Sequence, residues 1–314
     1  MGKEIKYKYL FGPVQSRRLG MSLGVDLMPH KTCSMDCTYC ECGRTTNLTV
    51  KRREYVPTEA VIEEISDFLG HKPQIDYVTF SGSGEPTLHS GIGKIIRYIK
   101  KYFSSYKIAL LTNGSMFSAA AVRKEVINAD IILPSLDAVS YENFKKVNRP
   151  APELDTKKIV IGLEKFRKIF KGKIWLEILI VPGANDCAKE LNLLKKAVKK
   201  IKPDKIQINT LDRPGTEKWV IPEEYIKLKK IAEFFGKDSE VVAADPRKKT
   251  IPHMKKTENG ILDTIKRRPC TFAELMNIAK FSEIELNEYL AKLIKNKKIV
   301  SETLPRGRFF KIRK

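Results

Sequence analysis

Six short β-branched runs, each followed by an amphipathic stretch, limit what this chain can fold into more than any other feature. The runs lie at 23–27, 75–80, 107–111, 130–133, 174–181 and 205–209. Between them, Ile159, Leu163, Phe166 and Phe170 fall at helix-face spacing, and so do Leu191, Leu194, Val198 and Ile201. Strand-then-helix units in series require parallel strands, because each helix serves as a crossover. The runs are apolar nearly throughout, as expected of strands covered on both faces. Eight such units would close a full barrel, so six predict an α/β fold with a partial (β/α)6 TIM-like barrel, its core at about 20–220. Catalytic residues then belong at the C-terminal strand ends, where the βα loops gather. A further helix (222–235) and a short apolar run (240–243) complete a first domain over 1–244.

Residues 245–254 are polar, basic and bracketed by prolines, and read as a linker. A compact second unit over 255–314 follows. A helix-like stretch at 259–266 precedes two capping boxes, Thr271 with Glu274 and Ser282 with Glu285, each opening a helix. Leu286, Leu290, Leu293 and Ile294 share one face of the later helix. Two strand-like pieces, 298–303 and 309–313, flank a turn at 304–308. Helices followed by a basic two-stranded tip resemble a winged helix-turn-helix domain, in which the second capped helix is normally the reading helix.

The 314 residues suffice for one large and one small domain. Six cysteines in a chain of this length suggest metal or redox chemistry in a reducing cytosol rather than a disulfide framework. No apolar run approaches membrane-spanning length, and residues 1–8 lack the apolar core of a signal peptide. The expectation is a cytoplasmic protein with no membrane partner. A net charge of +22 invites a polyanionic partner such as RNA or DNA. Much of the excess is lysine spread along the chain, however, and lysine and glutamate enrichment also accompanies growth at high temperature.

Cys33, Cys37 and Cys40 follow the first run as Cys-x3-Cys-x2-Cys, with Tyr39 just before the last. Three thiolates on so short a loop can serve one metal centre. Three protein ligands also leave one coordination position free for a small molecule. A zinc knuckle formed by these cysteines with Cys42 or His30 is the alternative. Structural zinc sites usually draw ligand pairs from two segments, and no second pair is visible.

The cysteine pattern closely resembles the signature of the radical S-adenosylmethionine (SAM) superfamily. The resemblance implies one [4Fe-4S] cluster held by Cys33, Cys37 and Cys40, with the amino and carboxylate groups of SAM on the fourth iron. The second run ends in Ser81, Gly82, Ser83, Gly84 and Glu85, small residues that let a backbone approach a ligand closely. This turn resembles the family's glycine-rich motif for the SAM amino group, with Ser83 in place of one glycine. Asn113, Ser135, Asp137 and Asn209 lie at later strand ends. The family likeness implies Ser135 and Asp137 for the ribose and methionine carboxylate, and Asn209 for the adenine edge. Tyr39 and Asn113 complete the implied cofactor-binding set. The alternative for each is a helix cap or a loop hydrogen bond.

Residues 11–24, with Tyr39 before Cys40, look like a subgroup related to the tRNA wybutosine-pathway (4-demethylwyosine) synthase. That resemblance covers about 11–220. Arg17 and Arg18 are candidates to clamp a substrate phosphate or carboxylate, against the alternative of two solvated loop arginines. Cys42 and Cys187 are candidate hydrogen-atom donors or substrate-anchoring thiols, against the alternative of chance small residues. Cys270 reads as structural. Three cysteines beyond the motif cannot supply two further clusters with four cysteine ligands each.

The resemblance further implies a reaction. An electron from a flavodoxin- or ferredoxin-type donor enters the cluster, the C5′–S bond of SAM breaks, and a 5′-deoxyadenosyl radical takes hydrogen from the substrate. Four readings are open, a small-molecule substrate being the last of them. RNA, above all tRNA, fits the subgroup likeness, the charge, and the fifteen Lys/Arg against seven Asp/Glu over 252–314. A protein or peptide substrate fits because winged-helix units also bind peptides. An iron–sulfur DNA-binding regulator is the third.

Overall fold

A computed structural model describes residues 7–243, 261–262, 264–265, 269–279, 281–304 and 307–313. Eight strands form its main sheet: β1 (Leu10–Ser16), β2 (Gly20–Val25), β5 (Tyr77–Phe80), β6 (Lys107–Thr112), β7 (Ile131–Pro134), β8 (Lys173–Ile180), β9 (Lys205–Thr210) and β10 (Ser239–Val241). They lie side by side in that order. Every pair from β2 to β10 is parallel, and β1 alone runs antiparallel, against β2. A small parallel pair, β3 (Thr32–Cys33) and β4 (Asn47–Leu48), sits apart from the sheet. The fold is α/β and mostly parallel. The six runs read from the sequence correspond to β2 and β5–β9.

Two departures have physical causes. β1 escapes a periodicity reading because Gly12 and Pro13 interrupt its alternation, and its register shifts between Phe11 and Val14. A proline is tolerated there because β1 is an edge strand. The first strand also ends at Val25, so Asp26 and Leu27 already belong to the loop that leads to the cysteines.

Helices α1 (Thr58–Gly70), α2 (Ile92–Tyr102), α3 (Ala120–Glu125), α4 (Tyr141–Asn148), α5 (Thr156–Ile169), α6 (Ala188–Ile201) and α7 (Tyr225–Phe235) fill the connections. Their apolar faces bury Val61, Ile65, Ile95, Leu163, Leu194 and Ile201 against Val78, Ile108, Leu110, Ile132 and Ile178 of the strands. The alternate strand residues face the other way. Ala109, Ile131 and Leu133 pack with Tyr77, Leu111 and Trp175 around Leu19, which the β1–β2 turn inserts. Arg18 of the same turn pairs with Glu177 of β8, although β5, β6 and β7 lie between β2 and β8 in the sheet. One sheet face is thus covered by helices and the other, in part, by this turn.

The C-terminal unit has a separate apolar cluster that includes Leu275, Phe281, Leu286, Leu290, Leu293, Ile299 and Phe310. Strands β11 (Cys270–Thr271), β12 (Ile299–Leu304) and β13 (Gly307–Ile312) form an antiparallel sheet in the order β11-β13-β12. Helices α8 (Phe272–Ala279) and α9 (Glu283–Lys295) pack with it. Both expected capping boxes form: Glu274 and Glu285 accept from the backbone N–H of Thr271 and Ser282, whose hydroxyls accept in return. Cys270 is fully buried in this cluster. β11 was not legible beforehand, being two residues long. The linker expected at 245–254 lies outside the described residues, and the helix expected at 259–266 is described only at 261–262 and 264–265. Among the described residues no helix is long and apolar enough to cross a membrane.

Candidate active site

The cysteine loop leaves the C-terminal end of β2 and is held by the last turn of α4. Asp36 N donates to the carbonyls of Asn148 and Arg149, and Thr38 N donates to that of Val147, at 2.9–3.1 Å. Carbonyls at a helix C-terminus lack intrahelical partners, so α4 presents acceptors that the loop N–H groups satisfy. Two turns, Cys40 N to Cys37 O and Gly43 N to Cys40 O, both 3.1 Å, fold the loop back on itself.

Each motif sulfur faces a side-chain N–H donor. Lys31 Nζ lies 3.1 Å from Cys40 Sγ, Asn148 Nδ2 3.4 Å from Cys37 Sγ, and Asn113 Nδ2 3.6 Å from Cys33 Sγ. Hydrogen bonds to thiolate sulfur are one of the means by which a protein tunes an iron–sulfur cluster. Burial pushes the Cys33 thiol up to about 12 and raises Cys37 also. The Cys42 thiol and the Lys31 ammonium act against burial at Cys40 and bring it down to about 5. Lys31 is only 3% exposed, so its ammonium is a buried cation beside sulfur. Among the described residues no three His, Cys, Asp or Glu side chains close around a single ion. His30, the alternative zinc ligand, is exposed. The donor set fits an iron–sulfur cluster.

The glycine turn packs directly on this loop. Lys31 N donates to Ser83 O (3.0 Å), and Glu85 N donates to Thr32 O (3.2 Å). Ser83 donates to Asp26 from both its N–H and its hydroxyl. Gly82 has φ +152°, and a Cβ there would collide with the Asp26 carboxylate. At Gly84 a Cβ would lie 2.0 Å from Thr32 O, which is backbone and cannot swing aside. Gly84→Ala should therefore force the turn away from the cysteine loop, costing about 1–3 kcal/mol as overpacking does. A melting curve of the isolated protein reads this directly, and an unchanged midpoint would contradict the close approach.

Asn113, Ser135, Tyr39 and Asp137 line one cavity beside the loop, together with Asn148. Two carboxylates expected to face a cofactor are instead turned into the protein. Asp137 is 2% exposed and accepts from Tyr39 Oη, from Asn148 Nδ2 (2.7 Å) and from Leu179 N (2.9 Å). Burial raises it to about 6, against the pull of those bonds. Glu85, also 2% exposed, accepts from Thr87, from Thr112 Oγ1 (2.6 Å) and from Asn113 N (2.7 Å). Burial raises its pKa as well. Carboxylates this deep must be hydrogen-bonded, and theirs orient Tyr39, Asn148 and Asn113.

The remaining candidates are more scattered. Asn209, half-buried in β9, accepts from Thr210 N through its own side chain. Arg17 Nη2 lies 3.3 Å from Asp212 Oδ2, while Arg18 pairs with Glu177, so the two guanidiniums do not form one clamp. Cys42 Sγ is 3.9 Å from Gly82 O, between the loop and the glycine turn. Cys187 is exposed at the N-cap of α6.

Sequence reasoning missed Lys31, Asp26 and Asn148. Lys31, two residues before Cys33, carried a usable signal as a cation beside a thiolate. The others act through contacts distant in sequence.

The chain matches the Radical SAM superfamily model over residues 27–194. A protein of Brachyspira hyodysenteriae described as GTPase Obg is 37% identical over 303 residues, which is 95% of this chain but 44% of that protein. This chain thus spans less than half of that relative, and its sequence contains no GxxxxGK(S/T) phosphate loop. A UPF0026 protein of Helicobacter pylori is 34% identical over 270 residues, covering 84% of this chain and 86% of that one. The fold is similar to a TYW1 structure with a lysine–pyruvate adduct bound (TM-score 0.51, 15% identity, 68% of this chain and 72% of that one). It is also similar to anSMEcpe with bound AdoMet (TM-score 0.51, 20% identity, 78% and 66%). The cofactors are a [4Fe-4S] cluster and SAM, and the chain is an enzyme. It belongs to the radical SAM superfamily.

Proposed function

We propose that this enzyme modifies RNA, with tRNA the first candidate, within a subgroup related to the wybutosine-pathway synthase. The observation that carries the reading is the charge: +22 overall, with fifteen Lys/Arg against seven Asp/Glu over 252–314. A duplex or folded RNA is the polyanion that such a surface suits. In this reading the main sheet is a partial (β/α)6 barrel in a domain over 1–244, and 255–314 is a winged helix-turn-helix that presents RNA to the barrel mouth. The two capped helices and the three-stranded antiparallel sheet support that description.

Cys33, Cys37 and Cys40 hold the cluster, and Lys31, Asn148 and Asn113 donate to their sulfurs. When bound, the cluster supplies the electron that cleaves SAM to a 5′-deoxyadenosyl radical. The Ser81–Glu85 turn offers backbone groups to the methionine end of SAM, and Tyr39, Asn113 and Ser135, which line the small cavity beside the loop, are its further candidate contacts. Asp137 and Glu85 hold those groups in place, and Asn209 remains the candidate for the adenine edge. A flavodoxin- or ferredoxin-type protein is the electron donor, and the setting is cytoplasmic.

Two measurements test this. Anaerobically reconstituted protein should release 5′-deoxyadenosine on reduction. Its RNA affinity should fall by on the order of 10³-fold between about 50 and 200 mM salt, for a footprint of about six phosphates. Salt-insensitive or undetectable RNA binding would leave the chemistry intact and remove RNA as the substrate. Labelled peptide captured in its place would point to protein modification.

A further inference from the structure

The stretch from Arg213 to Glu217, just beyond β9, lies between the cysteine loop and the C-terminal unit and is bonded to both. Toward the loop, Glu217 N donates to Thr38 O (3.0 Å) and Thr216 Oγ1 donates to Cys40 O (3.1 Å). Gly215 passes so close that a Cβ there would lie 3.0 Å from Tyr39 O. Arg44 and Arg149 both pair with Glu217, at 2.7 and 2.6 Å. Toward the C-terminal unit, Arg213 makes a two-pronged pair with Glu274 at 2.8 and 2.6 Å and donates to Pro269 O at 2.8 Å. Its Nε lies 3.5 Å from Glu41, the residue between Cys40 and Cys42.

This guanidinium is 6% exposed, so water cannot replace a lost partner. Removing one member of a buried ion pair is strongly destabilising because it strands the other charge. Glu274 therefore fixes where Arg213 lies, and the Nε of Arg213 faces Glu41. Glu274 also closes the Thr271 capping box at the start of α8, so the contact ties a helix start to the loop. We propose that Arg213 is a positioning residue that couples docking of the C-terminal unit to the turn carrying Cys40 and Cys42. A macromolecule that engages the C-terminal unit is then felt at the cluster loop, and cofactor loading is felt in the C-terminal unit to the same degree. The inference rests on the reading of Cys40 as a cluster ligand.

Hydrogen exchange on the full chain tests it, comparing wild type with Glu274→Gln, Arg213→Met and the double variant. Glu274→Gln should speed exchange at least about fivefold at 36–43 as well as at 270–279. The double variant should exchange at 36–43 no faster than either single variant, because the link is already broken in each. Loosening confined to 270–279 would overturn the coupling. The midpoint potential of the reconstituted cluster gives a readout that a merely structural contact would not move. It should shift positive in Glu274→Gln, where a negative charge is lost beside Arg213, and return toward wild type in the double variant. Equal potentials in all three proteins would refute the electrostatic link. Should Glu274→Gln fail to fold, wild type decides: adding SAM to reconstituted protein should slow exchange at 270–279, and no change overturns the proposal. Iron analysis of Cys40→Ala separates the two readings. If that variant keeps its iron, the ligand assignment fails, while exchange in the protein as isolated still decides the coupling.

Discussion

Replacing Cys40 by alanine is expected to leave a protein that retains no stable cluster and makes no 5′-deoxyadenosine from SAM. Cys40 is the motif sulfur that faces a buried cation, Lys31 Nζ at 3.1 Å, and a cation there favours the thiolate. Thiolate is the form that binds iron, so this position is already prepared for ligation. Lys31→Met is the informative contrast. It removes an outer donor and keeps the ligand, and such losses typically lower metal affinity about 10–100-fold rather than abolishing it. Iron and sulfide per chain, followed by mass spectrometry of the nucleoside product, rank the two variants. Cleavage that persists in Cys40→Ala would show that the ligand lies elsewhere.

Asp137→Ala should be the most destabilising single change near the site. Three donors converge on that carboxylate: Tyr39 of the cysteine loop, Asn148 at the end of α4, and the backbone of Leu179 in β8. A buried donor left without an acceptor costs roughly 1–3 kcal/mol, and partial relaxation brings the sum to about 3–5 kcal/mol. For a domain of this size the melting point would fall by on the order of 10 °C. Asp137→Asn keeps one acceptor oxygen and should lose less. The alanine variant should also incorporate less iron, because Asn148 holds Cys37 only while Asp137 holds Asn148. A melting point within about a degree of wild type would show that the carboxylate is not the hub its contacts describe.

The fold was legible where local pattern and burial agree. Apolar runs such as 174–181 become β8 because both faces of that strand are covered, and Thr271 and Ser282 cap helices through residues three positions away. β1 was hidden by Gly12 and Pro13, which break the very alternation that marks a strand. At the site, the cysteine spacing is local and could be read directly. The orientation of Asp137 could not, because a carboxylate at a strand end faces a ligand or the interior according to residues 39, 148 and 179, none of them near it in the loop that carries it. Arg213 is the extreme case: a lone arginine after a strand, whose meaning depends on Glu274 sixty-one residues later.

The anchoring of the cysteine loop has a consequence for biosynthesis. The three cysteines are complete once residue 40 has been synthesised, yet their partners arrive much later: Asn113, then the end of α4 at Val147–Arg149, then Thr216 and Glu217. Contacts so distant along the chain form late, after the intervening strands have assembled. A nascent chain that ends before Thr216 lacks the Thr216 and Glu217 contacts, so its cysteine loop is only partly held. The full set of contacts that holds the three thiols in place thus exists only once the strands through β9 have assembled.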